Sequence, residues 1–338
     1  MRILLIACLS LGVVLLVPLA GQAQAVEPAD WTPPRTPDGH PDLQGVWDYR
    51  TMTPLERPTS LADKAFFTAE EAATYERESV ARRDKDRRTE DGLSAQADVA
   101  AAYNEFWWDY GKKLSDLRTS LIVDPPDGRI PAQTEEAVAA TAARREARRG
   151  RGPTPGPENR GLWERCLTLG VPRLSGAYNN NFQLFQAADH VVILNEMIHD
   201  ARIIPLDGRP HVDPKVRQWL GNSRGRWDGD TLVVETTNFS DRTSFRGAQE
   251  NLHLTERFTR IGPSTLLYEV TVEDPTTFER PWTFALPMNR NDGLVYEYAC
   301  HEGNYGMVNL LLGARAEDAV LAAADGRRFL GSSCIDKY

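Results

Sequence analysis

The sequence predicts a mainly β protein: an antiparallel barrel with N-terminal helical segments and a C-terminal helix packed against it. Three observations carry that prediction. Between Arg226 and Gly306, strand-length segments alternate apolar and polar residues with the two-residue period of a half-buried strand. Turn signals separate these segments at nearly even intervals, as in antiparallel barrels. The chain also contains no G-x-G-x-x-G, G-K-S/T or H-E-x-x-H motif, which disfavours nucleotide and NAD enzymes and the common zinc peptidases.

Residues 1–25 begin Met1-Arg2, run apolar from Ile3 to Leu19 and end Ala23-Gln24-Ala25. A charged start, an apolar middle and a small-x-small end form the pattern of a cleaved secretory signal. The competing reading is lipoprotein attachment at Cys8, after Leu5-Ile6-Ala7. Signal removal predicts a periplasmic or secreted protein with no membrane span. Residues 26–160 then read as an extended and helical region ending in a linker, and residues 161–338 as the barrel core and C-terminal helix.

In the N-terminal region, Gly45-Val46-Trp47 opens a first strand and Thr68-Ala69-Glu70-Glu71 is a capping box that starts a helix running toward Arg88. Ala95 to Tyr110 reads as a second helix carrying Phe106-Trp107-Trp108. A short strand, Leu121-Ile122-Val123, stops at Asp124-Pro125-Pro126-Asp127-Gly128. Pro131 to Arg149 is helical, and Gly150 to Gly161 is the linker. Strands follow at Asn181–Gln186, His190–Met197 and Ala201–Leu206, then at 229–239, 251–261, 264–273, 280–288 and 294–300. Tyr305 to Ala324 returns to helix.

The formal net charge is −9, and the one basic cluster, Arg144, Arg145, Arg148, Arg149 and Arg151, lies among alanines as a solvated helix end. This argues against a nucleic-acid partner. After signal removal three cysteines remain, Cys166, Cys300 and Cys334, so an intrachain framework leaves one over. Cys166 and Cys300 each adjoin an ordered-looking block and are the expected disulfide. No CxxC and no paired histidines at finger spacing occur, so neither a metal nor another cofactor is expected. Nothing in the sequence sets an oligomeric state.

Period-two alternation assigns side chains to faces. Glu256 shares its face with Leu252, Leu254 and Phe258, whereas His253 points with Thr255 and Arg257. A carboxylate on an apolar face is paired or neutral. Two readings stand: a buried ion pair with Arg280, which shares a face with Trp282 and Phe284, or a pocket where Glu256 transfers protons. His253, His199 and His301 are the other candidate proton-transfer groups. Arg226, Arg280, Trp282, Tyr296 and Tyr298 are the candidates for shaping a substrate pocket. The junction Cys300-His301-Glu302-Gly303-Asn304-Tyr305 concentrates polar and reactive residues between strand and helix. If the apolar strand faces instead point outward beneath helices, the lumen holds Glu235, His253, Arg257, Glu269, Glu297 and His301.

Glycine two residues before tryptophan, in Gly45-Val46-Trp47 at the start of a first strand, resembles the opening of lipocalin-like barrels. The blocks GRWDGDTLVVETTNF, LHLTERF, VEDPTTFERPWT and YEYACHEGNYGM together resemble a large family of exported bacterial proteins with no assigned function. The resemblance covers Asp42 to Arg57 and Glu164 to Arg315, and it implies export and a lipocalin-like barrel. It implies no reaction and no catalytic residue. From the residues themselves, the leading expectation is a periplasmic enzyme performing cofactor-independent acid–base chemistry, as lyase, isomerase or hydrolase, on a small, largely apolar or aromatic molecule. The alternative is a carrier for such a ligand, and a third reading is an interaction protein with an exposed Phe106–Tyr110 cluster.

Overall fold

A computed structural model describes residues 31–84, 108–148 and 156–324. The proposed signal with Cys8, the Phe106-Trp107 pair, Arg149, Arg151, the first half of the proposed linker and Cys334 lie outside the described residues.

The architecture is mainly β. Ten strands form one antiparallel sheet: β1 (Gly45–Asp48), β2 (Ile122–Asp124), β3 (Asn181–Gln186), β4 (His190–Asn195), β5 (Ala201–Pro205), β6 (Asn222–Asp228), β7 (Thr231–Thr237), β8 (His253–Arg260), β9 (Thr265–Glu273) and β10 (Trp282–Asn291). Their order is β5-β4-β3-β1-β10-β9-β8-β7-β6, with β2 added to β10. Because β1 and β2 pair with β10, the N-terminal region contributes to the same sheet as the later strands. The helices are α1 (Ala69–Arg83), α2 (Glu135–Arg148) and α3 (Tyr305–Ala324). The capping box at α1 forms as expected, with Thr68 Oγ1 accepting from Glu71 N–H and Glu71 Oε2 accepting from Thr68 N–H.

The sheet is not closed into the expected barrel. Its edges β5 and β6 approach within 8 Å between Cα atoms, yet no ladder joins them. Side chains meet there instead of backbones. A Cβ at Gly225 of β6 would lie 2.6 Å from Leu206 Cδ2 and 2.9 Å from Ile204 Cγ2, so only glycine leaves room for the β5 edge to lie across it. Pro205, with no N–H to donate, ends β5.

Curling puts the apolar strand faces inside, which decides between the two face assignments. Trp47, Ile204, Leu232, Leu254, Leu266 and Phe284 are fully buried, whereas Glu235, His253, Arg257 and Glu269 lie on the partly exposed outer face. At one end the interior is sealed by Trp47, whose Nε1–H donates to Leu43 O at 2.8 Å while the Arg260 guanidinium lies 5.9 Å from its ring centroid. At another, Phe245, Phe278 and Phe284 pack around Trp282 with centroid separations of 5.9–6.2 Å.

Two expected elements differ. Residues 294–300 are not a strand but a strap: the Tyr296 N–H donates to Glu196 Oε1 and the Tyr298 N–H to His199 Nδ1, so side chains take the place of a neighbouring strand. Helix α3 does not lie on the sheet as expected. Tyr305, Val308, Leu312 and Val320 are exposed, Arg160 donates to the Leu310 carbonyl, and Asn304, just before the helix, donates to Glu164 O and Cys166 Sγ. No helix among the described residues is long and apolar enough to cross a membrane.

Candidate functional site

Strand β8 alternates outward and inward with complete regularity, so Glu256 enters the interior between Leu254 and Phe258. It is 1% exposed. Its partner is Arg202, not Arg280. Arg202 stands on the inward face of β5 with Ile204, and its Nη1 and Nη2 donate to Glu256 Oε2 and Oε1 at 2.6 and 2.9 Å. The pair exists only because the sheet curls, bringing edge strand β5 across the interior to β8. The Tyr268 hydroxyl donates to the same carboxylate at 2.7 Å. Burial, the largest single effect, would lower the proton affinity of Arg202, but the Glu256 charge and its hydrogen bonds, with Tyr268 and Asp200, together outweigh it and hold the guanidinium above its ordinary range. Burial, and then the Glu256 charge, push the Tyr268 phenol well above its ordinary range, so it remains a neutral donor.

A second buried ion pair lies beside the first. The segment from Cys166 to Asn180 has neither helix nor strand and carries Arg173 over the interior, with its side chain 7% exposed. Its Nη2 donates to Asp200 Oδ1 at 2.5 Å, and Asp200 also accepts from Thr168 Oγ1 and, at 2.7 Å, from Asn195 Nδ2. Asp200 is aimed by an unusual backbone. Ile198 and His199 have φ of 69° and 58°, a left-handed conformation that costs a β-branched residue about 1–3 kcal/mol. The Tyr49 phenol, in the field of Arg173, Asp200 and Glu196, is pushed up to about 12 chiefly by burial.

Arg173, Arg202, Glu256 and Tyr268 border a cavity of about 20 Å³. Val171, Phe182, Ile193, Phe258 and Met288 supply apolar walls; Arg173, Asn195, Arg202, Glu256 and Tyr268 supply the polar ones. Three buried wall atoms have no hydrogen-bond partner among the described residues: Arg173 Nε, Arg173 Nη1 and Asn195 Oδ1. Most buried polar atoms in folded proteins are paired, so unpartnered atoms of two neighbouring residues beside one cavity mark it out.

The other sequence-derived candidates are dispersed. His253 faces outward beside Glu273 at 3.1 Å, and Arg226 faces outward beside Glu235 at 3.4 Å. Arg280 lies before the start of β10, so strand parity does not govern it; it is half exposed and pairs with Asp124 at 2.8 Å. Trp282 belongs to the apolar cluster with Phe245 and Phe278. His199, Tyr296, Tyr298 and His301 gather along the strap instead. Tyr296 and His301 are exposed there, and desolvation and then Tyr178 raise the Tyr298 phenol. The concentration of residues at 300–305 is partly structural. Cys300 forms a disulfide with Cys166 at a Cα separation of 5.7 Å, and Asn304 Oδ1 caps α3 by accepting from the Met307 N–H. No group of three or more His, Cys, Asp or Glu arranged to hold a metal occurs among the described residues.

Sequence reasoning missed Arg202, Arg173, Asp200 and Asn195. The parity rule that identified Glu256 also places Arg202 on the face of Ile204, so that signal was present. Arg173 lies in irregular chain and offers no periodic signal. No protein-family model matches the chain, and a search of curated proteins finds no match.

Proposed function

We propose that the chain is an exported binding protein for a small molecule, part of which enters the interior cavity beside Arg173. The observation that carries this reading is the buried Arg173 guanidinium, with two nitrogens that have no partner among the described residues, in a wall shared by apolar and polar side chains. Apolar walls with a few convergent polar groups are the usual composition of a small-molecule site. A cavity of about 20 Å³ encloses no more than one small, water-sized group of the ligand, so the rest of it lies outside. Export is part of the proposal, supported by the pattern of residues 1–25 and by the Cys166–Cys300 disulfide.

Acid–base catalysis is the second reading, favoured because Glu256 and Tyr268 share this wall. Glu256 accepts two hydrogen bonds at Oε1 and one at Oε2, which leaves one lone pair on Oε2 to take a proton. The two readings separate when purified wild type, Glu256→Gln and folded Arg173→Met are each incubated with a host metabolite extract and followed by untargeted mass spectrometry. Binding predicts a species retained unchanged by wild type and lost from Arg173→Met. A species converted by wild type but not by Glu256→Gln would replace the binding reading with the catalytic one. Retention of nothing and conversion of nothing would remove both.

A further inference from the structure

We propose that a second groove, formed where the strap meets the start of α3 and separate from the cavity beside Arg173, binds an organic cation: an ammonium group with apolar or aromatic substituents. The groove has a volume of about 410 Å³, within the range of small-molecule sites. Trp163, Tyr298, Met307 and Leu310 supply aromatic and apolar walls, and Glu164 is the one charged lining residue among the described residues. Trp163 is 52% exposed, so folding leaves about half of it uncovered for a ligand.

These walls are tied together without a ligand. The Cys166–Cys300 disulfide joins the chain after Glu164 to the end of the strap. Asn304 Nδ2 donates to Glu164 O at 3.1 Å and to Cys166 Sγ at 3.4 Å, and Asn304 Oδ1 accepts from the Met307 N–H at 3.1 Å. Walls fixed in this way reduce the ordering cost of binding.

Charge selects the ligand. Glu164 Oε2 accepts from the Gly161 N–H at 2.7 Å, whereas no hydrogen bond or ion pair reaches Oε1 among the described residues. Arg160 donates to the Leu310 carbonyl at 3.4 Å and does not line the groove. The N-terminus of α3 carries only about half a positive charge, partly met by Asn304, so the full charge of Glu164 prevails. An anion is therefore repelled. A cation is attracted both by the Glu164 carboxylate and by the π faces of Trp163 and Tyr298, whose quadrupoles favour the same charge. Met307 and Leu310 receive its apolar substituents.

The test titrates wild-type protein with benzyltrimethylammonium and with its uncharged near-isostere, dimethylbenzylcarbinol, at equal ionic strength. NMR follows the indole N–H signal of Trp163, identified by its loss in Trp163→Phe. The cation is expected to bind roughly threefold to tenfold tighter than the carbinol at that signal. Glu164→Gln, whose amide oxygen can still accept from the Gly161 N–H, is expected to remove most of the preference. Equal affinity of the two probes for wild type, or a preference unchanged in folded Glu164→Gln, would overturn the cation class. Failure of both probes to shift the Trp163 signal would remove the site itself.

Discussion

Arg173 and Arg202 stand in the wall of one cavity, both buried and both facing a carboxylate, yet they are held differently. Arg202 comes from a strand and commits both terminal nitrogens to Glu256, which Tyr268 braces from the other side. Arg173 comes from irregular chain, commits one nitrogen to Asp200 and leaves two without a partner among the described residues. The first pair resembles a strut across the interior, with its hydrogen bonds closed on itself. The second has capacity left over, and its position is kept by neighbours outside the sheet: Thr168, the strained backbone at Ile198 and the Cys166–Cys300 disulfide. Buried charge alone therefore does not mark a site; unsatisfied hydrogen-bonding capacity beside a cavity does.

The strongest way to break this contrast is to remove one partner from the strut. Glu256→Ala leaves Arg202 buried without its acceptor and is expected to cost about 3–5 kcal/mol in urea unfolding, whereas replacing Arg202 and Glu256 together by methionine recovers most of that loss. Little loss from the single substitution would mean that the pair is not a strut. The disulfide comes next. It closes a sequence separation of 134 residues, and Cys166→Ser with Cys300→Ser should cost about 2–4 kcal/mol. Hydrogen exchange should then show lost protection at residues 166–180 with β8 and β9 still protected; uniform loss would mean that the two pairs belong to one cooperative unit.

Arg173→Met should cost less than Glu256→Ala, about 1–3 kcal/mol, because Asp200 keeps Thr168 and Asn195 while two unpartnered donors disappear. Equal losses would erase the distinction between the two arginines. The smallest effect concerns pH. The folded-state pKa of Tyr49 is raised to about 12 from 10.0. Its neutral form therefore stabilises the fold fully below pH 10.0, and that contribution is lost as pH rises toward about 12. The urea midpoint should fall across that window in wild type and fall less steeply in Tyr49→Phe; identical slopes would detach Tyr49 from the polar cluster.

Much of the fold was legible because its signals are local. The capping box of α1, the bounds of β3 and α3, and the inward placement of Glu256 all follow from spacing and parity within a few residues. Two failures have equally specific causes. Residues 294–300 alternate like a strand but lie against the side chains of Glu196 and His199, and alternation cannot report whether a neighbouring strand exists. β6 is a charged edge strand, Asn222–Asp228, whose Arg224 and Arg226 conceal its pattern.

The sequence by itself determined where most of the strands lie, which side chains share a face and that a carboxylate would sit among apolar neighbours. These follow from the two-residue period of a pleated backbone and the cost of leaving such a group unpaired. Only the tertiary structure decided which cation meets that carboxylate and where an unsatisfied one remains. Arg202 lies 54 residues from Glu256 and reaches it because the sheet curls until β5 lies across Gly225, while Arg173 is placed by a disulfide and an irregular crossing segment that no local period encodes.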